Sequence, residues 1–569
     1  MLVKGPDLLT SLLSVLFGFR EYRVAFAADL MEMFHQIYIR REDRHSQRLL
    51  LRTDPTQEPQ IYLMDVATFG AACSPCSAQF VKNLNAIEYA SEFPDAAEAI
   101  VHKHYVDDYL DSTDTVEEAV RRASDDRLVH ARGGFHLRGW LSNSEEFLKQ
   151  IGESSAELTK NLVPTNNVNT ERVLGMFWRP EEDVFTYVTC FTSLIDHPTK
   201  RQVLRTVMKL FDPLGLLSFF VIHGKILLQD IWRTKSDWDE PISNELRDRY
   251  SRWVGVLTQL DRIRIPRCYF QHPTKEIGNL QLHVFCDASE EAYACVAYLR
   301  AEINGRIECA LVAGRSKVAP LKTVSIPRLE LMAAVIGVRM RQTIMKSHSL
   351  SIKQTIFWSD SRTVLAWIHT SDPRKYRQFV SCRIGEILTL SNPKEWHWIS
   401  TKDNVADEGT KWALNFDLSQ KCRWFTGANF LYKQGEHRIA TLPEETEEEM
   451  RHCLMHLATE TCTQVDWARF SNWKRLWRTV AFVLRYLVIL RARVSRSRIP
   501  NGCFTQEELE AAEVSILQCV QTDAYQLELL ILHDVERQLE SRSKLYKLSP
   551  FLDGNGLIRS ESRLLAFIL

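Results

Sequence analysis

Strand-like and helix-like patterns alternate along residues 280–412, and this alternation constrains the fold more than any other feature of the sequence. Apolar and polar residues alternate from Leu280 to Val284, as in a half-buried strand. Pro327 suits the first turn of a helix, and apolar residues follow it at helical spacing. Residues 354–359 have the pattern of a further strand. We therefore expect a mixed sheet with helices packed on it.

Four acidic residues stand near the ends of these elements, at Asp287, Glu330, Asp360 and Asp407. We expect Asp287 on the first strand, Glu330 in the first turn of the helix and Asp360 at the end of another strand. Each acid alone is more simply a helix cap, a turn residue or a surface charge. Carboxylates on separate elements can nevertheless converge on one pair of metal ions, and hard oxygen ligands suit Mg²⁺ or Mn²⁺.

A second set of acids lies nearer the N-terminus. Asp107 and Asp108 are adjacent at the tip of a strand-turn-strand pattern, and Asp29 follows the apolar run 24–28. Adjacent carboxylates are costly unless cations or water neutralise them. A phosphoryl-transfer site can use such a pair to hold divalent metals. The simpler interpretation is that Asp29 caps a helix and that the pair forms a solvated turn.

The order of three motifs favours the catalytic interpretation. Asp29 with Phe34, then FGAACSP at 69–75, then YVDD at 105–108 resembles motifs A, B and C of reverse transcriptases. The detailed sequence, including FDPLG at 211–215, is similar to the Pao/BEL group of LTR retrotransposons. The chain therefore resembles a fragment of such a polyprotein, with a reverse-transcriptase palm, an RNase H-like domain and the start of an integrase region.

This resemblance implies roles for individual residues. The catalytic and metal-ligating residues of two-metal sites holding Mg²⁺ or Mn²⁺ would be Asp29, Asp107, Asp108, Asp287, Glu330, Asp360 and Asp407. Phe34 would be the steric gate against a ribose 2′-hydroxyl. The nucleotide and template would contact Phe34, Phe69, Gly70, Ser74, Pro75 and Tyr105. The implied partners are an RNA template, a DNA primer, an RNA/DNA hybrid and other parts of the polyprotein, with no membrane or lipid.

The expected fold class is α+β and α/β, in several domains. We expect a partial reverse-transcriptase palm with truncated fingers (1–190), a helical thumb or connection (191–275), an RNase H-like mixed sheet with helices (276–415), a linker (416–465) and a C-terminal helical pre-integrase region that stops before a zinc-binding module (466–569). An acidic run marks the linker at 444–449, and DGNG at 553–556 predicts a hairpin.

Composition narrows the class of protein. The chain has 71 Lys and Arg against 72 Asp and Glu, so a uniformly basic nucleic-acid binder is disfavoured. Thirteen cysteines without framework spacing indicate a reduced, intracellular protein, and the family implies cytoplasmic virus-like particles and the nucleus. Cys73 and Cys76 lack a second ligand pair for zinc. A later cluster is more simply helical than metal-binding, and comprises His452, Cys453, His456 and Cys462.

The expected function is that of a retrotransposon-derived RNA-directed DNA polymerase and RNase H. Because only twenty-eight residues precede Asp29, we expect hydrolysis of RNA in hybrids to be intact and DNA synthesis to be impaired without the fingers. The alternative is a catalytically inactive or host-adopted nucleic-acid-binding relic. Arg328, Arg362 and Lys402 fit either contacts with the nucleic-acid backbone or exposed salt bridges.

Overall fold

The computed structural model describes residues 3–152, 171–173, 176–187, 195–411, 418–434, 448–450, 469–495, 502–533, 539 and 543–560. The chain divides into two compact units, Met1–Arg451 and His452–Leu569. Helices and sheets are mixed in the larger unit, in agreement with the expected α/β multidomain class. The finer domain boundaries within and between these units remain predictions.

The first part of the larger unit is a four-stranded antiparallel sheet flanked by helices. Its elements are α1 (Leu12–Phe19), β1 (Val24–Leu30), β2 (Arg48–Leu51), β3 (Gln60–Leu63), α2 (Ser74–Glu88), α3 (Pro94–His102), β4 (His104–Tyr105), β5 (Asp108–Thr113), α4 (Val116–Arg132), β6 (Leu137–Ser142) and α5 (Glu145–Gln150). The sheet order is β4–β5–β1–β6, and β2 pairs with β3 as a separate hairpin. In the core, Phe26 stacks on Phe147 with ring centroids 5.0 Å apart.

A smaller sheet and three helices follow. They are β7 (Glu171–Val173), β8 (Met176–Arg179), β9 (Val184–Thr186), α6 (Lys200–Met208), α7 (Ser218–Arg233), α8 (Asn244–Leu257) and β10 (Ile265–Pro266). A turn precedes α7, in which half-buried Asp212 accepts the backbone N–H groups of Leu216 and Leu217 at 2.9 and 2.7 Å. Gly215 has φ +68°, and a Cβ there would lie 1.8 Å from the carbonyl oxygen of Gly314. Only glycine fits this approach.

The predicted mixed sheet is present in the next part of the chain. Its strands are β11 (Ile277–Ala288), β12 (Ala292–Ile303), β13 (Arg306–Val318), β14 (Gln354–Ser359) and β15 (Trp396–Trp398), in the order β13–β12–β11–β14–β15. The first three strands are antiparallel, and β14 and β15 run parallel to β11. The helices are α9 (Ile326–Ser347), α10 (Arg362–Ile368) and α11 (Gln378–Leu390). This topology is consistent with an RNase H-like fold.

The alternation that predicted β11 continues into a strand that is buried on both faces. Residues 282–288 are all buried, because α9 packs across β11 and β12 while Phe430 lies against Phe285 on the other side. A short helix, α12 (Arg423–Thr426), also packs here. Its Trp424 is fully buried and donates to the carbonyl of Leu216 at 2.8 Å. Residues 418–434, which the sequence assigns to a linker, thus include chain packed on the sheet.

The smaller unit contains three helices and a hairpin. They are α13 (Trp473–Ser495), α14 (Gln506–Ala524), α15 (Gln526–His533), β16 (Pro550–Leu552) and β17 (Ile558–Ser560). The hairpin predicted at 553–556 is confirmed, and Thr505 and Glu508 form a capping box at the start of α14. Val480 of α13 packs with Ile516 of α14. None of the helices in the described part of the chain is long and apolar enough to cross a membrane.

Candidate active sites

The sheet topology brings four acids to one end of the five-stranded sheet. Asp287 is the penultimate residue of β11, and Asp360 directly follows β14, which is its parallel neighbour. Asp407 lies in the 3₁₀ helix Val405–Gly409, which packs on β11 and β12. Glu330 is the fifth residue of α9, so it lies in the second helical turn and the expected first-turn position is wrong. We call these residues the four-acid cluster.

The pKa shifts indicate that these carboxylates act on one another. Burial raises the pKa of Asp287 to about 7; a hydrogen bond from Thr410 opposes this, and the charges of Asp360 and Asp407 add to it. Burial also raises the pKa of Glu330, against a hydrogen bond from the Ser361 side chain and with a contribution from Asp360. The charge of Asp360 therefore acts on both Asp287 and Glu330, and the charge of Asp407 acts on Asp287. These interactions link the four acids into one electrostatic group.

Side chains that the sequence did not single out hold this cluster in place. Thr410, 1% exposed, donates its hydroxyl to Oδ2 of Asp287 at 2.5 Å. Asn404, fully buried, donates from Nδ2 to both the carbonyl of Cys286 (3.1 Å) and Oδ1 of Asp360 (3.2 Å). Thr401 donates to the other oxygen of Asp360 at 2.7 Å. Spacing alone gave no signal for these residues, because their partners are more than 40 positions away.

The four-acid cluster has the donor chemistry that a divalent cation needs. It offers carboxylate oxygens, which Mg²⁺ and Mn²⁺ prefer, and burial makes their negative charges costly without a cation. Lys411 supplies one positive charge by an ion pair with Asp407. Among the residues that the structure describes, however, no group of three or more His, Cys, Asp or Glu is gathered closely enough to hold a metal ion. The chemistry of the four carboxylates thus fits a divalent metal, but they are not gathered as closely as the ligands of a preformed metal site.

The N-terminal sheet brings the other three acids together. Asp29 lies within β1 and pairs with Asp108 at the start of β5, so its interpretation as a helix N-cap is wrong. Asp107 precedes Asp108 in a tight turn in which Val106 has φ +59°. Burial raises the pKa of Asp108 to about 7, with contributions from the charges of Asp107 and Asp29. Arg138 contacts Asp29 at 3.2 Å. We call Asp29, Asp107 and Asp108 the hairpin acids.

The structure describes all six residues that the sequence assigns to nucleotide and template binding. Phe34 is 7% exposed, and its ring centroid lies 4.7 Å from that of Phe69, which is 65% exposed. Gly70 has φ +84°, and Ser74 donates to the carbonyl of Thr68 at 2.6 Å. The remaining two are Pro75, in the first turn of α2, and Tyr105, which pairs with Asp108. The sequence segments that carry Phe34 and Phe69 thus meet in space.

A buried polar cluster near the β4–β5 hairpin, which carries Asp107 and Asp108, was also not identified from the sequence. Lys82 of α2 is fully buried, and its ammonium donates to the carbonyl of Ile100 at 2.5 Å. Burial lowers the pKa of Lys82 to about 7. Burial, with help from Lys82, also lowers the pKa values of His104 and His130. Asp126 lies buried on α4, and burial raises its pKa. Lys82, Asp126 and His130 lie in helical patterns whose polar positions are normally assigned to the surface, and His104 lies on β4.

The structure also describes the surroundings of four other candidates from the sequence. Cys73 and Cys76 are both free thiols. Arg362 lies 5.2 Å over the ring of Trp398, and Arg328 is paired with Glu449. The cluster at 452–462 lies outside the described residues.

Comparison with known proteins identifies part of the chain. The family model described as Pao retrotransposon-like RNaseH-like domain matches residues 199–361, a segment that contains Asp287, Glu330 and Asp360. No curated protein is significantly similar to the chain.

Solved structures of foamy viral proteins are also similar. The protease-reverse transcriptase in complex with RNA/DNA hybrid is 14% identical, with a TM-score of 0.39, over 69% of this chain and 46% of that chain. The protease-reverse transcriptase dRH in complex with double-stranded DNA is 13% identical, with a TM-score of 0.39, over 71% and 60%. The chain thus spans between two fifths and two thirds of their lengths. Residues 199–361 of this chain are thus similar to the Pao retrotransposon-like RNaseH-like domains.

Proposed function

We propose that this chain is a retroelement reverse transcriptase–RNase H segment whose four-acid cluster hydrolyses the RNA strand of RNA/DNA hybrids. One observation carries the proposal. Four carboxylates from separate elements lie at one end of a mixed sheet and are electrostatically coupled, within and next to the segment that matches the Pao family model. Phosphodiester hydrolysis uses such a set of carboxylates to hold divalent metals.

Asp287, Glu330, Asp360 and Asp407 would hold Mg²⁺ or Mn²⁺ in this site. The bound metal would supply positive charge to activate water against the phosphodiester and to stabilise the departing oxygen. The chain's own part is orientation. Asn404 and Thr401 hold the two oxygens of Asp360, and Thr410 holds one oxygen of Asp287. A hybrid would be recognised by its A-form geometry and 2′-hydroxyls rather than by its sequence.

The test is cleavage of a labelled RNA/DNA hybrid by the full chain with Mg²⁺ or Mn²⁺. We expect cleavage by the wild-type chain, none in EDTA, and loss of cleavage in Asp360→Asn. Asp372→Asn changes an acid elsewhere in the same unit that pairs with Arg374, and it should cleave normally. Equal inertness of the wild-type chain and Asp360→Asn would reject the nuclease and favour the non-catalytic relic.

A second candidate function, DNA synthesis, rests on the hairpin acids. Their support is the cross-strand pairing of Asp29 with Asp108 and the contact of Phe34 with Phe69. In this proposal Asp29 and Asp107 would ligate metal, Asp108 would complete the cluster, and Phe34 would act as steric gate. Template and nucleotide would lie along the surface that carries Gly70, Ser74, Pro75 and Tyr105. Primer extension by the full chain, compared with Asp108→Asn, tests it.

A further inference from the structure

We propose that the start of α9 is a binding subsite for a phosphodiester group of the nucleic acid, and that the chain's own Glu449 occupies it. The subsite consists of Arg328, Phe379 and Arg383. The residues that block it, 448–450, are called the acidic strap. The inference rests on the proposed nuclease function, because it concerns how a nucleic-acid strand reaches the four-acid cluster.

The pairing of Arg328 with Glu449 has the geometry of anion recognition. Nε and Nη2 of Arg328 donate to the two carboxylate oxygens of Glu449, each at 2.8 Å. A planar guanidinium binds carboxylate and phosphate with this same two-point geometry. The Glu449 side chain is only 12% exposed, and that of Arg328 is 29% exposed. Two phosphate oxygens could therefore take the positions that the carboxylate oxygens fill.

The surroundings of Arg328 suit an anion. The Arg328 guanidinium lies 4.9 Å from the ring centroid of Phe379, and that of Arg383 lies 3.5 Å from the same ring. Phe379 and Arg383 both belong to α11, so two helices supply the subsite. The aromatic ring orients the two cations, which leaves a positively charged surface once the strap is removed.

The acidic strap is held by its backbone as well as by its carboxylate. The backbone N–H of Arg377 donates to the carbonyl of Glu449 at 2.8 Å. Tyr376 and Met450 form an antiparallel bridge, and Trp367 donates from Nε1 to the carbonyl of Glu448 at 3.2 Å. Glu449 itself has φ +62°, which is unfavourable for a residue with a Cβ. Specific contacts thus compensate for a strained backbone, as expected of a segment with a defined docked position.

The strap lies beside the four-acid cluster. Arg328 precedes Glu330 by two residues on α9, and the charge of Glu448 acts on Glu330. A strand that brings a phosphodiester to Glu330 would therefore come close to the negative charge of the strap. While docked, the strap adds negative charge where phosphates approach and neutralises a cation that could bind one. The docked strap lowers the affinity of the site for nucleic acid.

Binding of a fluorescent 20-base-pair RNA/DNA hybrid in EDTA tests this inference without cleavage. Anisotropy titrations at several salt concentrations would compare the full wild-type chain with Glu449→Gln. We expect Glu449→Gln to bind about fivefold more tightly, the effect of releasing one ion pair. Because Arg328 becomes free to contact a phosphate, the slope of log K against log salt should steepen by about one counterion.

Asp239→Asn is the matched control, since Asp239 accepts from Nε and Nη2 of Arg201 in the same two-point geometry, and Arg201 lies on α6 rather than on a helix of the subsite. It should bind the hybrid as the wild-type chain does. In Arg328→Gln/Glu449→Gln the gain should disappear. Thermal unfolding of each variant checks that the fold is retained. Unchanged affinity in a folded Glu449→Gln, or an equal gain in Asp239→Asn, would overturn the subsite even if the wild-type chain cleaves hybrids. If Glu449→Gln bound the hybrid more tightly but the wild-type chain did not cleave it, the nuclease proposal alone would be overturned.

Discussion

The two acidic clusters of the larger unit differ in how their carboxylates are held. In the four-acid cluster, buried Asn404 and Thr410 donate hydrogen bonds to Asp360 and Asp287, and Lys411 pairs with Asp407. The hairpin acids lie on two paired strands, and Arg138, which is 58% exposed, contacts Asp29 from the surface. Buried hydrogen bonds orient a side chain far better than an exposed ion pair. The comparison predicts a preorganised nuclease site and a more adaptable hairpin site.

The largest expected effect is a complete separation of two activities. Asp360→Asn should lower hybrid cleavage by at least ~100-fold, beyond the usual cost of removing a partner of a metal ligand, and should leave any primer extension unchanged. Asp108→Asn should do the reverse, since it lies on a different sheet. Both assays on both variants of the full chain measure this. If either substitution abolished both activities to the same extent, the two clusters would not be independent sites.

A substitution behind the nuclease acids tests their preorganisation. Thr410→Val keeps the shape of the buried side chain and removes the donor to Asp287. We expect cleavage to fall by about 10–100-fold, because an unheld carboxylate samples unproductive orientations. Thr410→Ser retains the hydroxyl and should recover most of the rate. If both variants lost the same thermal stability and neither lost cleavage per folded molecule, Thr410 would be only a packing residue.

The sequence predicted the strands that carry the acids better than the side chains that hold them. The β11 pattern and the position of Asp360 after β14 follow from local periodicity and are confirmed. Asn404 and Thr410 could not be predicted, because their partners Cys286, Asp287 and Asp360 come from strands that are distant along the chain. Glu330 was placed one position too early in the helix, since α9 begins at Ile326, one residue before Pro327.

The same reasoning explains why the cluster under the hairpin was missed. A helical pattern assigns Lys82 to the solvent-facing side, and only the packing of α2 with α3 and α4 makes it buried. Contacts with other helices bury Lys82, and the spacing of residues within α2 does not predict those contacts. The region of the hairpin acids thus contains buried basic groups whose charged forms are disfavoured, whereas the buried groups of the four-acid cluster are carboxylates.

That buried lysine should make the stability of the larger unit depend on pH. The pKa of Lys82 is lowered from 10.5 to about 7 in the folded chain, so between those values the unfolded chain binds more protons. The free energy of unfolding should therefore rise with pH by up to about 1.4 kcal/mol per pH unit from this group, and the penalty should be full below pH 7. Lys82→Met should remove this rise and stabilise the unit at pH 7 by a few kcal/mol, less about 1–3 kcal/mol for the unpaired carbonyl of Ile100.

Urea unfolding at pH 7, 8 and 9 measures the effect of Lys82. Lys149→Met provides the control, because Lys149 is 78% exposed and pairs only at the surface. It should leave the pH dependence of the wild-type chain unchanged. A pH slope that persists in Lys82→Met would assign the dependence to other groups and remove this contrast between the two regions.

The smallest expected effect belongs to the surface partner of the hairpin acids. Arg138→Gln removes the exposed ion pair with Asp29, and such pairs contribute ~0–1 kcal/mol. Since salt already screens this pair, primer extension should change less than about fivefold, and the difference should shrink further as salt is raised. The loss should be well below that of cleavage in Thr410→Val. If Arg138→Gln instead reduced extension as strongly as Thr410→Val reduces cleavage at every salt concentration, Arg138 would be orienting Asp29 as firmly as Thr410 orients Asp287. The two sites would then be equally preorganised, one by buried hydroxyl and amide groups and the other by a surface guanidinium.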